Sequence, residues 1–422
     1  MYEEKGIDYP IGHARWTAQR NMGAVLELMA QGKLPVEKLT THRFPIERAA
    51  GAYDLITSRK EPFLGILIEY PAPPEKPMMR LDLRASAAPS GKLGVSVVGA
   101  GNFARLVMLP NLPRVGDFEF RGLCTAKGMS AEHTGRRSRF AFATTDVEEV
   151  WKDEATRAVF IATRHDLHAE LVMAALRAGK HVFVEKPLCT RTEELDAIAA
   201  LVQELGARCP LLTVGFNRRF SPATRELRRF FEGVVPLSVS HRFSPGALPP
   251  DHWTQDEEVG GGRIVGEACH AIDTCTAIVG SPPVRVFAES VAKVGGLQIT
   301  DDRVFITLRH ANGSISSISY QGAGDRAAPA ERIEVFGDGR TGCVEGWDRI
   351  DLWTGGRHRK ASGGKDKGHR TEFETFLSAC RAGGEWPIPW EQLYAVTWAS
   401  LMAVRSLREG RPIAIDEVDD LE

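Results

Sequence analysis

Between residues 93 and 216 the sequence alternates β-rich apolar runs with helical stretches, and few topologies accommodate that rhythm. Strands are predicted at 93–98, 118–124, 157–163, 182–184 and 211–216. Helices are predicted at 146–151, 167–178 and 192–205, the last two stopped by Gly179 and Gly206, and the last capped by Thr190 with Glu193. Repeated βα units of this length imply a parallel, doubly wound Rossmann sheet, whose ligands bind beyond the carboxyl ends of its strands.

The first of those ends carries Gly99-Ala100-Gly101-Asn102-Phe103-Ala104, a G-x-G-x-x-A run between a predicted strand and a helical segment. Gly99 permits the tight turn, Gly101 lets the backbone approach a pyrophosphate, and Ala104 lets helix and strand pack closely. The amides at the start of the helix then take the phosphates. The second strand ends in Leu123-Cys124-Thr125-Ala126-Lys127, without the acid that would hold an NAD ribose. Thr125 and Lys127, with Arg136 or Arg137, suit a 2′-phosphate instead, which favours NADP over NAD. The fourth strand ends in Glu185-Lys186-Pro187, placing a lysine at the ligand-binding edge.

From residue 237 the pattern changes to alternating strands at 238–243, 284–294, 303–309, 314–320, 332–336, 341–345 and 349–353, with Asn312-Gly313 as a two-residue hairpin turn. An open, mostly antiparallel sheet with helices on one face is expected, making the second half an α+β domain with one broad face uncovered. A helix over 262–278 interrupts the strands and carries Glu267, His270 and Asp273, whose spacing of three brings His270 near both acids. Late helices at 370–382 and 390–408 cover the sheet or the nucleotide half. Trp253 could stack on a sugar ring; Arg164, His165, Arg218, His252, Asp325 and Arg326 could bind hydroxyls.

The beginning of the chain reads as a helix over 17–31, a second over 45–56 and a strand over 63–68, followed by the proline-rich 71–77, a stiff linker. A net charge of -2 gives no electrostatic case for nucleic acid or a membrane surface. Seven cysteines without a C-x-x-C pair argue against structural zinc and a disulfide framework. No export signal or bilayer-length apolar run stands out, so a cytoplasmic protein with small-molecule partners is expected.

Residues 92–422 resemble the family of glucose-fructose oxidoreductase, inositol dehydrogenase and related sugar dehydrogenases. The matching residues are 99–104, Ala162-Thr163-Arg164-His165-Asp166-Leu167-His168, Glu185-Lys186-Pro187, Asn217-Arg218-Arg219-Phe220, and Gly260-Gly261-Gly262 followed by His270 and Asp273. The resemblance implies an NAD(P)-dependent oxidoreductase acting on a secondary hydroxyl or ketone of a sugar, nucleotide-sugar or cyclitol. Lys186 and His270 would be its catalytic pair. The cofactor would be held by Gly99, Gly101, Asn102, Phe103, Ala104, Thr125, Lys127, Thr163, His165, His168, Glu185, Lys186, Pro187 and Asn217. Substrate would meet Lys186, Arg218, Trp253, Glu267, His270 and Asp273.

Many members carry an aspartate at the position of Gly266, and here the nearest acid, Glu267, is one residue out of register. Two other activities fit the same pattern: a redox-assisted lyase or glycosidase with tightly bound NAD, and a non-catalytic nucleotide-binding sensor. The family also suggests a homo-oligomer, dimer or tetramer, formed through the open sheet. Arg20-Asn21-Met22, Gly32-Lys33-Leu34, Thr41-His42-Arg43-Phe44-Pro45 and Ala52-Tyr53-Asp54, followed by the strand at 63–68, give residues 1–70 a separate resemblance to the C-terminal tail of a zinc-type medium-chain alcohol dehydrogenase. The expected organisation is therefore a remnant at 1–70, a linker at 71–91, a nucleotide domain at 92–217 and a substrate domain at 218–422.

Overall fold

The computed structural model describes residues 9–10, 12–71, 79–84, 91–249, 251–291, 302–325 and 327–415. Most of the expected linker at 71–91, the end of the strand expected at 284–294, and Arg326 lie outside the described residues. The chain divides into two units, Met1–Met78 and Met79–Glu422.

In the first unit, helix Ala18–Ala30 begins where the Thr17 hydroxyl accepts the Arg20 amide at 3.3 Å, and Gly32 follows it with φ +68. Helix Ala49–Ser58 joins the two strands of a parallel pair, β1 (Thr40–Pro45) and β2 (Gly65–Glu69). These are the two helices and the strand read from the sequence, with β1 in addition.

The second unit is built on two sheets. The first contains β3 (Arg80–Asp82), β4 (Leu93–Val98), β5 (Phe118–Cys124), β6 (Phe142–Thr144), β7 (Thr156–Ile161), β8 (His181–Val184) and β9 (Leu212–Val214), in the order β3-β6-β5-β4-β7-β8-β9. All are parallel to their neighbours except β3, which runs antiparallel on the edge against β6. Every residue of β4 is buried, as a strand covered on both faces requires. Helices His168–Arg177 and Thr192–Leu205 supply two of the crossovers. The cap of the latter differs from the expected Glu193: Glu194 reaches back to the amides of Thr190 and Arg191 at 3.0 and 3.2 Å, because Arg191 is the residue just outside the helix.

The other sheet contains β10 (Ser238–Phe243), β11 (Pro283–Ser290), β12 (Arg303–His310), β13 (Ile315–Gln321), β14 (Glu331–Gly337), β15 (Arg340–Glu345), β16 (Arg349–Thr354), β17 (Arg357–Ser362) and β18 (Ile413–Ala414). Their order is β17-β16-β15-β14-β10-β13-β12-β11-β18, antiparallel throughout except for β10 beside β13. Gly313, at φ +84, closes the hairpin between β12 and β13.

Alternation along β12 and β13 buries every second residue in the core that also takes Cys269–Val279, a helix without an exposed position. Helix Trp390–Glu409 adds its buried side to the same core. Helix His369–Ala382 instead returns to the parallel sheet: Phe373 and Phe376 meet Phe160 of β7 and Phe183 of β8 at ring separations of 5.3 to 5.8 Å. One face of the nucleotide-type sheet is thus completed by a helix from the far end of the chain.

Candidate active site

The parallel strands β4, β7 and β8 end side by side, and their carboxyl ends carry Gly99, Thr163 and Glu185-Lys186-Pro187. Gly99 has φ +96, and a Cβ there would lie 2.3 Å from the Ala162 carbonyl oxygen, so the turn admits no side chain. At Gly101 the surroundings are open: a Cβ would meet nothing within 4 Å. The next residues enter a helical run, with the Arg105 amide bonded to the Gly101 carbonyl and π-helical turns over Ala104–Met108. Exposed Gly101 and Asn102 above a helix start, with buried Ala104 beneath, form a cradle fit for a pyrophosphate. Phe103 tilts against His369 at 5.9 Å.

Past β5, the Thr125 hydroxyl donates to the Lys127 carbonyl at 2.8 Å, while Lys127 is exposed. Arg136 is paired with Glu132 at 2.9 Å on its own helix.

The Glu185-Lys186-Pro187 triplet leaves β8 with a cis bond between Lys186 and Pro187. Glu185 is buried with its carboxyl against Gly215, where a Cβ would lie 2.9 Å from each oxygen. Burial pushes this carboxyl up to about 8, opposed by the Lys186 ammonium. The Lys186 ammonium turns the other way and donates to the Gly266 carbonyl at 2.6 Å, bridging the two halves of the unit. His168, fully buried, bonds the Pro187 carbonyl through Nδ1 at 2.7 Å, and burial pulls it down to about 4.

Across from the triplet, Ile264–Ala268 forms a π-helical turn that leads into helix Cys269–Val279. His270 faces Phe216 at 6.4 Å, and its buried Nδ1 has no hydrogen-bond partner among the described residues. Burial, then Arg218, Lys186, His369 and Lys367, hold its imidazole well below the usual range. It is therefore a neutral imidazole among cations.

The two acids expected beside His270 are committed elsewhere. Asp273 is fully buried and grips Arg219 through contacts of 2.5 to 3.1 Å, so its carboxylate serves the core rather than the cleft. Glu267 accepts from the Tyr320 hydroxyl at 2.6 Å and pairs with Arg263 at 2.7 Å. A uniform 100° per residue does not hold through a π-helical turn, so spacing alone misplaces these groups.

Arg218 is likewise buried, forked onto Glu331 at 2.8 and 3.0 Å, with Lys367 3.5 Å from the same carboxylate. Asn217 donates to the Lys367 carbonyl at 2.8 Å. Trp253 presents an edge contact to His165 at 4.7 Å and lies 5.9 Å from the Arg164 guanidinium. The structure thus gathers Lys186, His165, His168, His270 and Trp253 around Gly260 and Gly266, while Asp273 and Arg218 are tied into buried ion pairs. Sequence reasoning did not single out Glu331, Lys367 or Glu372. Glu372 is 1 % exposed, with an Oε1 lacking any hydrogen-bond partner among the described residues. Only its place in the first turn of a predicted apolar helix could have drawn attention to it.

Comparison with known proteins agrees with this fold. Residues 93–215 match a family model described as an oxidoreductase family with an NAD-binding Rossmann fold, and residues 235–341 match the GFO/IDH/MocA C-terminal domain. The resemblance of residues 1–70 to an alcohol dehydrogenase tail is not supported by these matches. Inositol 2-dehydrogenase of Rhizobium meliloti is 30% identical over 61% of this chain and 80% of its own length. The 1,5-anhydro-D-fructose reductase of Ensifer adhaerens is 30% identical over 41% of this chain and 52% of its own. A solved levoglucosan dehydrogenase, in complex with NADH and levoglucosan, shares the fold with a TM-score of 0.66 at 22% identity, over 76% of this chain and 99% of that one.

Proposed function

The chain belongs to the GFO/IDH/MocA oxidoreductases, and from that premise we propose that it transfers hydride between nicotinamide and a secondary hydroxyl or ketone of a sugar, nucleotide-sugar or cyclitol. The observation that carries this reading is the Lys186 ammonium, held 2.6 Å from the Gly266 carbonyl at the carboxyl edge of the parallel sheet, where substrate and cofactor would meet.

When bound, the nicotinamide supplies or accepts the hydride. The glycine loop at 99–104 would hold its pyrophosphate, and Thr163, His168, Glu185, Pro187 and Asn217 would shape the pocket for the rest. Thr125 and Lys127 leave room for a 2′-phosphate, which keeps NADP as the favoured form.

Lys186 donates a hydrogen bond to the reacting oxygen and stabilises the negative charge that develops on it. In the oxidising direction the substrate O–H bond breaks as the C–H pair leaves, and the proton passes to the neutral His270; reduction returns it. The cationic surroundings of His270 make its protonated form a ready donor. Trp253 offers an apolar face to the ring of the substrate.

Lys186→Met should lower kcat on a polyol substrate by at least about 100-fold while leaving the Kd for NADH, measured by fluorescence titration, within about twofold. Retained turnover would remove Lys186 from the reaction.

A further inference from the structure

We propose that His165, which the family resemblance places among the cofactor's residues, is instead a substrate-binding residue whose Nε2 accepts a hydrogen bond from a hydroxyl on the carbon next to the reacting one. The inference rests on the activity proposed above and narrows it to substrates with a vicinal diol or an α-hydroxy ketone.

Three contacts fix the ring. His165 Nδ1 lies 2.7 Å from the Gly260 carbonyl oxygen. A carbonyl only accepts, so Nδ1 carries the proton and Nε2 carries the lone pair. Trp253 meets the ring edge-on at 4.7 Å and 70°. The third contact is with Gly266, where a Cβ would lie 3.1 Å from His165 Cε1, 3.4 Å from Nδ1 and 3.2 Å from the Gly260 oxygen. A side chain at position 266 would therefore press on the ring, which would have to give way by a few tenths of an ångström.

Residue 266 consequently serves two partners at once. Its carbonyl holds the Lys186 ammonium, and its bare Cα makes room for His165. A donor for the reacting oxygen and an acceptor thus flank the same residue, the arrangement that two adjacent substrate oxygens need. No protein group is hydrogen-bonded to Nε2 among the described residues.

The groups facing the ring keep that lone pair available. Burial first, then the Lys186 ammonium and His168, pull His165 down to about 3, against the Gly260 bond. His168 lies 5.7 Å away, and the Arg164 guanidinium lies 5.9 Å from the Trp253 ring. The imidazole is accordingly an uncharged acceptor throughout the neutral range.

Steady-state kinetics with myo-inositol, levoglucosan and 1,5-anhydro-D-fructose, beside NADH titrations, test this on the full chain. His165→Ala should raise KM by roughly tenfold, the share of one hydrogen bond, with a smaller change in kcat and an unchanged Kd for NADH. His165→Gln, whose Oε1 reaches a similar point, should recover most of the loss. An unchanged KM in His165→Ala, or a weakened Kd for NADH in both variants, overturns the assignment to substrate. A wild-type protein that turns over none of the three probes overturns the proposed activity and this inference together.

Discussion

Glu185 shows how a single position couples burial to protonation. An ordinary carboxyl near 4.5 rises to about 8 here, chiefly because the group is buried. Between those values the unfolded chain has released its proton and the folded one has not, so stability falls as pH rises, by about 1.4 kcal/mol per pH unit. Glu185→Gln removes the titration and should gain Tm over wild type at pH 8 relative to pH 5. A difference that stays flat across that range would show the carboxyl to be ionised in the fold. Glu185 and Lys186 were legible because an acid, a lysine and a proline closing an apolar run read as a strand end, in a sheet whose first strand leads into a glycine loop. The partnership of His165 with Gly266 was not, since it joins positions about a hundred residues apart through an absent side chain.

Among the elements, those with clear periodicity were legible and those without it were not. β12 alternates buried and exposed positions along its length, whereas β17, Arg357-His358-Arg359-Lys360-Ala361-Ser362, has almost no apolar residue to announce it. It forms because β16 offers an edge to pair with. The helix at His369–Ala382 was expected from its apolar side, but the sheet it serves could not be read from that side alone. Its Phe376, fully buried and edge-on to Phe160 at 5.5 Å, completes the nucleotide-type sheet. Phe376→Ala should cost about 3–5 kcal/mol in denaturant unfolding and weaken NADH binding with it. A loss below about 1 kcal/mol would mean that the helix is not part of that core.

At the scale of the whole molecule, the face of the large sheet opposite its core is largely exposed among the described residues. The pairings place Arg309, Ile315, Ser238, Phe336, Thr341 and Trp353 in a single cross-strand row on that face, and Ile315, Phe336 and Trp353 are all among its exposed apolar residues. Charged and serine neighbours interrupt the row, as at an interface that must also be soluble before it forms. Association of two copies through this face predicts a dimer or larger assembly in light scattering, and Phe336→Glu should shift it to monomer without changing the near-ultraviolet circular dichroism. A wild-type monomer at micromolar concentration would sink that assembly.

The place of β10 in that sheet has a consequence for the order in which the protein can be made. The strand lies between β13 and β14, yet both of its neighbours are translated after it, beyond β11 and β12. As the chain leaves the ribosome, residues 238–243 must wait with both hydrogen-bonding edges open while some seventy further residues are added. Those open edges are ready partners for other nascent chains. The central strand of the substrate-side sheet is therefore the segment whose exposure during synthesis a holding chaperone would have most reason to cover.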